Sequence, residues 1–114
     1  MKNSDLTSET ATYVETGFFK GQLHFRKIGN IVHVRIQSVP NWSFSTSQIL
    51  ISSFPDGFES KYDSISVLYE SGRPVGSVYA ISDGNDLLDP GIYIAGKESI
   101  EGAYYEFHLS YVAK

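Results

Sequence analysis

The chain contains no cysteine, one tryptophan, one methionine and four prolines in 114 residues. Without thiols it has no disulfide scaffold, no thiolate zinc site and no cysteine nucleophile. Helix formers are thin, with five alanines and seven leucines. No apolar run approaches the ~20 residues that a membrane-spanning helix needs, and the opening MKNSDLTSET has no apolar core of a secretory signal. Basic groups are in the minority, 9 Lys+Arg against 13 Asp+Glu for a net charge of -4. That balance argues against a nucleic-acid partner, and the missing apolar runs against membrane insertion.

What the chain has instead is β-branched and aromatic side chains. Ile, Val, Thr, Phe, Tyr and Trp together make 39 of 114 residues, and these side chains pack well on a pleated sheet. The length fits one domain. Residues 1–11 are polar and read as a leader or linker end, with the folded domain expected over residues 12–114. The clearest local signal is residues 22–36, two alternating runs around Gly29-Asn30, which reads as a β-hairpin. A two-residue turn there sets Ile28 opposite Ile31, Phe25 opposite Val34 and Leu23 opposite Ile36, taken together as one apolar face. The same count sets Arg26 opposite His33 and His24 opposite Arg35 on the other face.

Further strands are expected at residues 48–52, 64–70, 75–81, 91–95 and in a final amphipathic run. In that run Tyr105, Phe107, Leu109 and Tyr111 share one face and Tyr104, Glu106, His108 and Ser110 the other. Turns are expected at Pro55-Asp56-Gly57, residues 71–74 and residues 83–86. Residues 65, 67 and 69 alternate Ile, Val and Tyr against polar partners. About eight short strands at this spacing predict an all-β domain, an antiparallel β-sandwich or jelly-roll-like barrel.

Catalytic chemistry has little footing. There is no Gly-x-Ser-x-Gly elbow, the three histidines lie within strands, and no spacing singles out a carboxylate pair. A non-enzyme without cofactor is expected. Residues 83–89 cluster the hard oxygens that calcium prefers, but lack the order of an EF-hand loop and read as an Asx-rich turn, so no metal is expected. His24, Arg26, His33 and Arg35 admit three readings: the solvent face of a hairpin, a contact with a symmetry mate, or an anion site. Trp42, in a polar loop, and the tyrosines near turns offer planes on which sugars stack.

The stretch from Gly21 through Leu23-His24-Phe25-Arg26-Lys27-Ile28-Gly29-Asn30 to Val34, a polar loop, and then Ile49 to Phe58 with its Phe-Pro-Asp-Gly-Phe turn resembles a known family. It is similar to the C-terminal head domain of receptor-binding proteins on the tail tips or baseplates of phages that infect lactococci and related Gram-positive bacteria. The resemblance runs from about Thr16 to the end. It implies a homotrimeric head, located on the virion after assembly in the host cytoplasm. Such a head binds host cell-wall saccharide or glycerol-phosphate polymer non-covalently, beside other tail and baseplate proteins. The positions equivalent to the family's sugar site are Tyr69, Arg73, Tyr79 and Asp83, with Trp42 a separate candidate. Two other roles fit the same chain: a tail or baseplate assembly protein that binds no sugar, and a monomeric carbohydrate-binding module.

Overall fold

The computed structural model describes residues 9–40, 48–96 and 104–114. Eight strands form one curled antiparallel sheet, a half-barrel, and no helix occurs among the described residues. They are β1 (Glu9–Glu15), β2 (Gln22–Ile28), β3 (Ile31–Ser38), β4 (Ile49–Ser52), β5 (Ser64–Glu70), β6 (Arg73–Ile81), β7 (Gly91–Gly96) and β8 (Tyr105–Val112). The strand order is β1-β2-β3-β8-β5-β6-β7-β4, so the last strand inserts between β3 and β5. Among the described residues pairing is already present at Glu9, which sits opposite Ile28, ahead of the expected start at residue 12. Trp42 lies outside the described residues.

The β2–β3 hairpin closes through Gly29 at φ 61°, a backbone that glycine reaches without the steric cost a Cβ adds. Ile28↔Ile31, Phe25↔Val34, Arg26↔His33 and His24↔Arg35 are opposite pairs, as the two-residue turn dictates. The two isoleucines do not share the apolar face expected of them. Side chains alternate with a period of two, so Ile28 and Ile31 share the face of Arg26 and His33, not that of Phe25 and Val34. Both isoleucines are half-buried, while Phe25 and Val34 are fully buried.

The inner face of the curl holds the core, with Leu23, Phe25, Val32, Val34, Val78, Ile92, Phe107 and Leu109 among its buried residues. Each such side chain contributes roughly 1.5–3 kcal/mol by leaving water. Phe19 and Phe58 add rings from the connecting segments. Tyr111 donates its hydroxyl to the Phe58 carbonyl at 2.5 Å, so the buried phenol is not left unpaired. Burial pushes its ionisation well above the ordinary range of tyrosine. Segment 59–61 is tied to the chain end by Lys61 N to Val112 O at 2.9 Å and Lys114 N to Glu59 O at 2.8 Å.

In β5 the alternating apolar residues face solvent. Ile65, Val67 and Tyr69 point outward and are 64%, 39% and 37% exposed, whereas Leu68 is buried. The cause is register with the inserted strand: Glu70 lies opposite the inward Tyr105 and accepts its hydroxyl at 2.7 Å. Alternation then turns residues 65, 67 and 69 away from the core. The β5–β6 turn is also tighter than the expected span of residues 71–74. Ser71 and Gly72 make it at φ 49° and 86°, and Arg73 and Pro74 already belong to β6. Pro74 sits where the β5–β6 register shifts, as a residue without a ladder N–H must.

Candidate functional site

The outer face of β1, β2, β3 and β8 carries a transverse row of polar and aromatic side chains. Tyr13 lies opposite His24, His24 opposite Arg35, and Arg35 opposite His108. The neighbouring row is Ala11, Arg26, His33 and Ser110. Adjacent strands are ~4.8 Å apart, which sets His24 and His108 about 10 Å apart with Arg35 between them.

Local contacts fix most of these groups. Tyr13 meets the His24 ring edge-on at a centroid distance of 4.5 Å. His33 and His108 stack at 5.5 Å with planes 10° apart, and His33 Nδ1 shares a hydrogen bond of 2.9 Å with Ser110 Oγ. Arg26 Nε donates to Glu9 Oε1 at 2.7 Å, which holds the Glu9 carboxyl below the usual carboxylate range. Arg35 is exposed and has no ion-pair partner among the described residues. Its fork of N–H donors is therefore open to an external acceptor.

Two shallow grooves meet on this row. One, of about 820 Å³, runs past Lys20, His24, Arg35, Gln37, Glu106, His108 and Tyr69; the other, of about 660 Å³, past Tyr13, Arg26 and His33. His24, Arg35 and His108 border both. The result is a pair of grooves that share a cationic and imidazole centre, with Gln37, Ser38 and Tyr69 along one and Tyr13 along the other, and with one carboxylate bordering each, Glu106 and the Arg26-paired Glu9. Such a set suits a ligand that combines anionic groups with hydroxyls.

The structure brings His24, Arg26, His33 and Arg35 together, and adds His108, Tyr13 and Tyr69. His108 had a readable signal, its place on the polar face of the last strand. The β3–β8 pairing that brings it to Arg35 had none. The saccharide candidates are dispersed by contrast. Tyr69 borders the groove. Arg73 stands at the β5–β6 turn, 3.5 Å from Glu70. Tyr79 lies half-buried between Ile65 and Tyr93. Asp83 pairs with Lys114 beyond the far end of β6, roughly 30 Å from Arg73 at ~3.3 Å per residue.

Residues 83–89 form a turn built from their own polar groups. Asn85 Oδ1 accepts from Leu87 N at 2.8 Å and Leu88 N at 2.9 Å, and Asn85 Nδ2 donates to Asp63. Asp63 also accepts from Ser82 N at 2.8 Å and Ser82 Oγ at 3.0 Å. The Ser82 backbone bond is the main reason its carboxyl lies below the usual range. Among the described residues no cluster of His, Cys, Asp and Glu is arranged to hold a metal ion.

Compared with known proteins, the chain matches no family model and no curated protein sequence.

Proposed function

We propose that this chain is a non-covalent recognition module of a phage tail tip or baseplate. It works as a homotrimer and holds a host cell-wall saccharide or glycerol-phosphate polymer in the groove centred on Arg35. The observation that carries this reading is the row Tyr13, His24, Arg35 and His108, with Tyr69 across the groove. A guanidinium takes phosphate oxygens in two parallel hydrogen bonds, imidazoles add donors, and tyrosine rings pack on the apolar edges of sugar or glycerol units. Each site is shallow, and linking several on one particle multiplies weak affinities through effective concentration.

Titration calorimetry of the whole protein with lipoteichoic acid and with a phosphate-free cell-wall oligosaccharide tests the proposal. Binding to either supports it, and which one binds names the ligand class. The Arg35→Ala variant loses at least tenfold in affinity, while Arg73→Ala leaves it unchanged. No binding to either probe overturns the receptor role. The uncharged half of the outer face, on β5, β6, β7 and β4, favours a second reading, an assembly protein of the tail or baseplate that binds no sugar.

A further inference from the structure

Two rows of side chains cross the floor of the larger groove. The first runs from His24 through Arg35 to His108. The second, two residues further along the strands, runs from Gln37 through Glu106 to Tyr69. One row is basic, and the other centres on a carboxylate. Among the described residues Glu106 is the one acid that lines this groove, and neither Arg35 nor Lys20, the cations beside it, forms an ion pair with it. Arg35 and Glu106 are diagonal neighbours on paired strands, a relation that sets them ~7–8 Å apart and within reach of long side chains. They stay separate all the same. In the smaller groove, by contrast, the Glu9 carboxylate is taken up by Arg26 at 2.7 Å. The larger groove therefore presents an open cation and an open anion side by side.

That arrangement of charges selects among ligands. A plain polyanion gains from Arg35 but is repelled by Glu106, since like charges a few ångströms apart destabilise one another. A neutral glycan leaves both charges without a counterpart. A molecule that carries an anion and a cation one diagonal step apart complements both. Tyr69 sharpens the chemistry of the cation, because it lies directly opposite Glu106 and is 37% exposed. Opposite residues on one face have their Cβ atoms ~5 Å apart, so an ammonium held by the carboxylate also meets the negative face of the ring. Gln37, opposite Glu106 on the other side, offers an amide oxygen to a further N–H.

We infer that the larger groove takes a zwitterionic ligand, a phosphate with a primary ammonium roughly 5–8 Å away, the phosphate on Arg35 and the ammonium between Glu106 and Tyr69. A polyol phosphate chain that carries aminoacyl esters has this chemistry. The inference rests on the Arg35 groove of the proposed function, and narrows its ligand from any anionic polymer to one that also bears amines.

Two small probes differ only in the charge at issue, propyl phosphate and 3-aminopropyl phosphate. In the second, five bonds separate phosphorus from nitrogen, about 6 Å when extended. NMR titration of the whole protein at pH 7 reads both. The wild type binds 3-aminopropyl phosphate at least tenfold more tightly than propyl phosphate, with shifts that include Glu106 and Tyr69. Glu106→Gln removes that preference and leaves propyl phosphate bound at least as tightly as before. Asp86→Asn takes the same charge from the exposed 83–89 turn and keeps the preference, which separates the groove from the net charge of -4. Lipoteichoic acid supplies the polymer arm: mild alkali, which hydrolyses its alanyl esters and spares the phosphodiester chain, weakens wild-type binding at least tenfold and leaves that of Glu106→Gln unchanged. Circular dichroism melts that match the wild type establish that the variants fold. Equal affinity for the two small phosphates overturns the inference and leaves the Arg35 anion site standing. A preference that survives Glu106→Gln overturns it as well. Binding of neither phosphate overturns it together with the phosphate part of the proposed ligand.

Discussion

Gly76 is the position where the sheet has least room. It lies opposite Gly96 in the β6–β7 ladder, and a Cβ placed on it would sit 2.1 Å from Ala95 O and 2.9 Å from Gly96 Cα. A comfortable carbon–oxygen contact is ~3.3 Å, so Gly76→Ala asks the strands to part by about 1.2 Å. The obstacle is backbone on the facing strand, which cannot swing aside as a long side chain would. Overpacking of this kind costs about 1–3 kcal/mol, and each ladder hydrogen bond stretched beyond use adds about 1 kcal/mol. With one or two bonds lost the sum is about 3 kcal/mol. For a domain of this size that lowers the melting temperature by about 12 °C. Gly84→Ala is the control, since the new Cβ would meet only Ser82 Oγ at 3.7 Å, and it stays within about 0.5 kcal/mol. Urea denaturation followed by circular dichroism measures both. A Gly76→Ala loss below about 1 kcal/mol would refute the close β6–β7 approach.

Two further substitutions probe the polar ties of the fold. Tyr111→Phe removes the hydroxyl that satisfies Phe58 O and leaves a buried carbonyl without its donor, so urea denaturation reports a loss of about 1–3 kcal/mol. Asp63 has its carboxyl lowered in the folded state by its bond from Ser82 N. The lowered group contributes stability that is fully present above the unfolded value of ~3.9 and is lost as pH falls through the folded value. Asp63→Asn therefore flattens the acid limb of a stability–pH curve below about pH 5 and changes its slope little between pH 6 and 8.

Local chemistry wrote much of this fold into the sequence, and long-range pairing wrote the rest. Gly29 and Asn30 announced the β2–β3 turn, and counting outward from it gave the observed cross-strand partners, including His24 with Arg35. The last strand's inward face was legible from Tyr105, Phe107, Leu109 and Tyr111, all buried. Its place between β3 and β5 was not, because neighbours in a sheet are chosen by the whole packed core and leave no mark on one segment. That insertion had two consequences. It carried His108 to Arg35, adding to the candidate site a side chain that the hairpin alone did not announce, and it fixed β5 through Glu70 and Tyr105 so that Ile65 and Val67 face outward. Ile28 and Ile31 pair as the turn dictates, but the strand period places them on the face of Arg26 and His33 despite their hydrophobicity.

Arg35, between two imidazoles, is the proposed anchor for an external anionic or hydroxyl-rich ligand. The most direct measurement is an amide and side-chain NMR titration of the whole protein with lipoteichoic acid and with a neutral cell-wall oligosaccharide. Saturable shifts are expected to cluster on His24, Arg35, His108 and Tyr69, with affinity at least tenfold weaker in Arg35→Ala. Shifts centred on Asp83 and Arg73, or an Arg35→Ala variant that binds as tightly as the wild type, would contradict it.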